Sequence, residues 1–119
     1  MLTKEQQVTK DLLATSVGSG VVKVYATPSM IAFMESICNE LGQQYCQADE
    51  ISVGIEVDVK HLRAVVENEI VKGQAELKHQ ENNILTFRVK VFHQDKLIGD
   101  GLMKRAIVNK KQFETKVGL

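Results

Sequence analysis

Apolar side chains recur with a helical period early in the chain and with a period of two later. From Met30 to Tyr45 they fall at 30, 33, 34, 37, 38, 41 and 45, which predicts one stripe of an amphipathic helix. Pro28, the only proline, is expected as the first helical residue with Thr27 as its cap, and Gly42 as a weak point near the helix end. After Asp49, Ile51, Val53, Ile55, Val57 and Val59 alternate with Ser52, Gly54, Glu56, Asp58 and Lys60. That predicts a strand with an aliphatic inner face, leaving Gly54 on the opposite face. Val71, Ala75 and Leu77 are expected inside on the next strand, and Leu85, Phe87, Val89 and Val91 on the one after. Glu81-Asn82-Asn83 and Gln94-Asp95-Lys96 predict tight turns, since asparagine tolerates positive φ. A last strand runs from Leu97 to about Val108, where Gly99 and Gly101 predict a bulge or a close approach. Val21 to Tyr25 is expected as a short strand or extended lead-in, residues 5 to 10 as another strand, and 109–119 as a frayed tail.

One long apolar helix before four strands joined by tight turns predicts an α+β fold, an antiparallel sheet curled around the helix. The 119 residues suffice for a single domain spanning 1–119 and are too few for two ordinary ones. No repeat or low-complexity segment interrupts them.

Charge narrows the function. The 15 basic and 15 acidic side chains cancel and are scattered, which argues against a nucleic-acid partner. No segment approaches the ~20 apolar residues of a membrane span, and Met1 to Gln7 lacks the apolar core of a secretory signal. Cys38 and Cys46 have no CxxC spacing and no histidines at ligand distance, so no metal site is expected. Both are expected as reduced thiols of a cytoplasmic protein.

Candidate chemistry is sparse. Glu35 interrupts the apolar helix between Met34 and Cys38. Such a carboxylate is either an edge residue reaching water or a group held where its proton matters. His61 continues the inward face of its strand past Val59, where a lone histidine is more often a strand-end residue than a catalyst. His79 and His93 end similar runs and carry no further signal. Gly54 is equally open between a bulge and a site where a ligand approaches the backbone. The helix start at Thr27 gathers unpaired N–H groups that suit a carbonyl or anion.

Four segments together are specific. Val17-Gly18-Ser19-Gly20, then Tyr25-Ala26-Thr27-Pro28 with Met34-Glu35, then Val53-Gly54 through Val57-Asp58-Val59-Lys60-His61-Leu62, then Leu97-Ile98-Gly99-Asp100-Gly101 with Arg105. In order and spacing this pattern resembles the fluoroacetyl-CoA thioesterase-like branch of the hotdog-fold family, over about residues 15 to 108. The resemblance implies a homodimeric acyl-CoA thioesterase, some hotdog dimers pairing further into tetramers, with no cofactor beyond the coenzyme A of its substrate. It implies that Thr27, Glu35 and His61 are catalytic, that the Gly54 backbone lies beside the acyl group, and that Arg105 helps hold coenzyme A. Two departures stand out. Met103 occupies a position where the branch usually has histidine, and Gly18 to Val24 holds no aromatic residue to close the site over fluoroacetate. Fluoroacetate specificity is therefore not implied. The same fold also supports acyl-CoA binding without turnover, and dehydration of 3-hydroxyacyl thioesters.

Overall fold

The computed structural model describes residues 1–119. Five strands form one antiparallel sheet: β1 (Leu2–Gln7), β2 (Glu50–His61), β3 (Ile70–Glu81), β4 (Ile84–His93) and β5 (Lys96–Asn109). Their order across the sheet is β1-β3-β4-β5-β2. The long helix α2 (Thr27–Gln43) packs against all five strands, and a short helix α1 (Ala14–Val17) precedes it. The expected α+β architecture is borne out, with the sheet covering the helix's apolar stripe.

That stripe and one strand supply most of the core. Met30, Met34, Ile37 and Cys38 of α2 are fully buried, as are Leu85, Phe87, Val89 and Val91 of β4. A fully buried side chain of this size contributes about 1.5–3 kcal/mol through removal of apolar surface from water. The predicted turns are present, with Asn82 at φ 55° and Gln94 at φ 56°. Gly99 faces the helix, where an added Cβ would lie 2.6 Å from Met30 Sδ.

Several expectations are corrected. Only the β3–β4 and β4–β5 links are tight turns, because β2 lies at the far edge from β1 and reaches β3 through residues 62–69. The amino-terminal strand falls at Leu2–Gln7, pairing with β3, and not at residues 5–10. Residues 110–116 form a third helix, α3 (Lys110–Lys116), capped by the Asn109 side chain accepting from Gln112 N. Gly42 is the last residue but one of α2, near the helix end as expected, and it also lets the helix approach the sheet, since a Cβ there would sit 3.3 Å from Ser52 Oγ.

The correction with most consequence is in β2. Its pairing with β5 slips between Gly54 and Glu56, leaving Ile55 as the extra residue of a bulge. A one-residue slip inverts which side chains face the core. Ser52 and Gly54 therefore lie on the helix side, opposite Ile107 and Arg105, while Ile51 and Val53 face away. Beyond the bulge Val57, Val59 and His61 return to the helix side, opposite Met103, Gly101 and Gly99.

Candidate active site

Two clusters of polar groups lie on the helix side of the sheet. The first forms where α2 begins. Leu13 and Val66 bridge to Tyr25 and Val24 respectively, and Tyr25 N donates to Val65 O at 2.7 Å. The lead-in to α2 is thus held against residues 62–69, directly after His61. Pro28 needs no partner for an N–H in the first helical turn, where none exists within the helix. Thr27 is itself helical, and the cap position falls to Ala26, with no side-chain cap bond. The Thr27 hydroxyl instead meets His61, with Oγ1 2.8 Å from Nδ1.

His61 is half-buried, with the Tyr25 ring edge-on at 6.3 Å between centroids. Its Nε2 is buried and has no hydrogen-bond partner. Burial lowers the imidazole's pKa from its ordinary 6.5; the Arg63 backbone pulls the other way but forms no bond with Nε2. A buried polar atom left without a partner costs about 1–3 kcal/mol, and Nε2 carries that cost here. His61 lines a cavity of about 290 Å³ whose wall also includes Ser19, Val24, Ala26, Leu62 and Ala64. Val21 and Val22, 95% and 61% exposed, place no apolar cover over it.

The second cluster lies farther along α2. Glu35 is an edge residue, its side chain 44% exposed, between the buried Met34 and Cys38. Its Oε2 lies 4.0 Å from Arg105 Nη1, and a Cβ on Gly54 would approach the same oxygen to 2.8 Å. Arg105, 8% exposed, donates from Nε to Ser52 Oγ at 2.8 Å. Its Nη2 donates to Ser52 O at 3.0 Å and to Asn39 Oδ1 at 3.2 Å. The guanidinium is turned into the protein and does not offer itself to solvent. Burial pushes the Cys38 thiol up to about 12, with a smaller lowering by Arg105 and a smaller raising by Glu35, which removes it as a nucleophile.

Thr27 and His61 are thus brought together, as are Glu35, Gly54 and Arg105. The two groups are not in contact within one chain: eight residues of α2 separate Thr27 from Glu35, ~12 Å of helix rise. Ser52, Asn39 and Tyr25 were not found from the sequence. Asn39 follows Glu35 by one helical turn, a spacing the sequence does display, but Ser52 falls inside only because of the bulge. His79 is exposed beside Glu81, and His93 Nε2 lies 2.8 Å from Glu69 Oε1, tying the 62–69 segment to the end of β4.

Known proteins share both the sequence and the shape. The profile of the family described as "Fluoroacetyl-CoA-specific thioesterase" matches residues 8–111. A fluoroacetyl-CoA thioesterase from Streptantibioticus cattleyicolor is 32% identical over 95 residues, covering 80% of this chain and 68% of that protein. A mutant of the fluoroacetyl-CoA-specific thioesterase, solved with fluoroacetate and CoA, superposes with a TM-score of 0.91 at 26% identity, covering 98% and 96% of the two chains. A Thermus thermophilus thioesterase-superfamily member superposes at 0.89 with 25% identity, covering 97% and 85%.

Proposed function

The chain belongs to the fluoroacetyl-CoA-specific thioesterase family, and on that premise we propose that this hotdog-fold hydrolase cleaves small or medium acyl-CoA thioesters to free acid and CoA, using Thr27, Glu35 and His61. The observation that carries these roles is the Thr27–His61 pair, two residues of one cavity wall, with the buried imidazole Nε2 left unpartnered. The open cavity and the lack of aromatic residues from Gly18 to Val24 support an acyl range wider than fluoroacetyl.

Hydrolysis needs an attacking oxygen, a donor at the carbonyl oxygen and a proton for the departing thiolate. Glu35 serves as base for a water, or attacks the carbonyl directly. With the Thr27 hydroxyl donating to Nδ1, the neutral imidazole keeps its proton on Nε2. There it can polarise the carbonyl oxygen as a neutral donor, a task the lowered pKa favours, while the proton that Glu35 takes from water returns to the departing thiolate. The Gly54 backbone runs beside the Glu35 carboxylate, and its N–H is a candidate oxyanion donor. No cofactor enters these steps.

Groups that act on one carbonyl must all lie within about 3 Å of the reacting atoms. The ~12 Å between Thr27 and Glu35 therefore supports a site completed by a second copy. The β2 edge is free, and Ile55 and Val57 at its middle are 51% and 45% exposed. Antiparallel pairing of two β2 edges about an axis between Val57 and Asp58 would set His61 of one copy opposite Gly54 of the other. A homodimer of this kind, working in the cytoplasm, is our reading; no helix is long and apolar enough to cross a membrane.

Thiol release over a panel of short, branched and aromatic acyl-CoAs tests the proposal. Glu35→Gln and His61→Asn should each lower kcat by about 10²–10⁴-fold. A mixed dimer of these two variants should regain one working site. Unchanged turnover in both variants would overturn the assigned roles, and a dead mixed dimer would confine the site to one subunit. Hydration of a crotonyl thioester without thiol release would make the protein a dehydratase.

A further inference from the structure

Arg105 is a buried cation with a single carboxylate in reach. A guanidinium stays charged in any protein environment, and a charge taken out of water needs a counter-charge and satisfied donors. Here Nε and Nη2 are spoken for by Ser52 Oγ, Ser52 O and Asn39 Oδ1, at 2.8, 3.0 and 3.2 Å. Those acceptors come from two different elements, so they fix the guanidinium plane as well as its position. The remaining nitrogen, Nη1, is left facing Glu35 Oε2 at 4.0 Å.

The chain builds this arrangement from three directions. Glu35 and Asn39 are four residues apart on α2 and share a face. Ser52 and Gly54 share a face of β2, and Arg105 stands opposite Gly54 on β5. The missing Gly54 side chain leaves room for both charged groups, since its Cβ would lie 2.8 Å from Glu35 Oε2 and 3.5 Å from Arg105 Nη1.

We propose that Arg105, clamped by Ser52 and Asn39, is a positioning residue that holds the Glu35 carboxylate beside Gly54, and is not a binding group for coenzyme A. The inference rests on the reading of Glu35 as the catalytic carboxylate. The 4.0 Å separation suits the task. A bidentate pair would occupy both carboxylate oxygens, whereas attraction at this distance aims the carboxylate and leaves its lone pairs open to water or substrate. With only 8% of Arg105 exposed, little of it remains for a phosphate.

Steady-state kinetics on an acyl-CoA hydrolysed by the wild type, with product inhibition by free CoA, test the inference. Arg105→Gln should lower kcat by about 100-fold, the effect of a carboxylate displaced by about 1 Å. Ser52→Ala and Asn39→Ala, which loosen the clamp and keep the charge, should each lower kcat by about 3- to 10-fold. KM and the inhibition constant for CoA should stay within about 2-fold in all three. Arg105→Lys should recover only part of the loss, because an ammonium lacks the fork. A rise in KM and in the CoA inhibition constant at constant kcat would assign Arg105 to coenzyme A. A lowered Tm with unchanged kcat per folded subunit would make the clamp structural only. If Arg105→Gln does not fold, the Ser52 and Asn39 variants decide. Glu35→Gln separates the two levels: full turnover in it overturns the catalytic carboxylate and this role with it. An inactive Glu35→Gln beside fully active clamp variants overturns the positioning role alone.

Discussion

The hydroxyl of Thr27 and the imidazole of His61, 34 residues apart in sequence, meet at 2.8 Å between Oγ1 and Nδ1. The contact spans the gap between the first turn of α2 and the last residue of β2. It fixes the ring's orientation and leaves Nε2 as the free end.

Thr27→Val keeps the shape of the side chain and deletes the hydroxyl. Without a partner at Nδ1 the ring can change tautomer and tilt, so kcat should fall by about 10- to 100-fold. Thr27→Ser should keep most of the activity. The exposed hydroxyl makes a stability loss in Thr27→Val no larger than about 1 kcal/mol. Equal rates for the two variants would remove the hydroxyl from the mechanism.

Acidification should destabilise the fold through His61. Burial lowers the folded imidazole's pKa below the ordinary 6.5. Between that lowered value and 6.5 the unfolded chain binds more protons, so stability rises with pH across this window. The penalty is absent above 6.5 and grows as pH falls toward the folded pKa. Thermal melts from pH 7.5 down to 5 should show the wild type losing Tm faster than His61→Asn. Parallel losses in the two proteins would contradict the burial of the ring.

Gly54→Ala places a methyl 2.8 Å from Glu35 Oε2, which must move, and 3.5 Å from Arg105 Nη1. Because the obstructing atom ends a flexible, half-exposed side chain, stability should change by less than about 1 kcal/mol. Activity should fall by about 100-fold as the carboxylate is displaced. Retained kcat with a normal melting curve would show that the position of Glu35 is not critical.

Gly101→Ala should do the reverse. Its Cβ would meet the backbone of the neighbouring strand, 2.2 Å from Asp58 O and 2.5 Å from Val59 Cα, so β2 and β5 must separate locally. A loss of about 1–3 kcal/mol or more is expected, seen as a lower urea midpoint. The disturbed β2 edge should also weaken the proposed pairing of two β2 edges, read by sedimentation. Wild-type stability in this variant would mean that the two strands have slack the structure does not show.

How far the sequence could be read depends on the residue. The β4 alternation predicted Leu85, Phe87, Val89 and Val91 inside, and each is fully buried. The α2 stripe at Met30, Phe33, Met34, Ile37, Cys38 and Leu41 was equally plain. In β2 the same reasoning failed for Ile51, Val53 and Ile55. An aliphatic alternation carries no mark of the residue at which a strand bulges, and only pairing with β5 placed the extra residue at Ile55. That slip buries Ser52 and turns Gly54 toward Glu35.

Periodicity by itself determined the helix and the four later strands, and turn residues determined the β3–β4 and β4–β5 links, because each depends on only a few neighbouring residues. The quoted segments, taken together, also determined the family resemblance. Tertiary structure alone decided the order of strands, with β2 at a free edge, since pairing partners come from distant parts of the chain. It also decided that Thr27 addresses His61 and leaves the helix uncapped, that Glu35 sits half-exposed at an edge, and that Arg105 is turned inward beside it. These are distances between segments, set by how the sheet packs on α2, and no local pattern of residues encodes them.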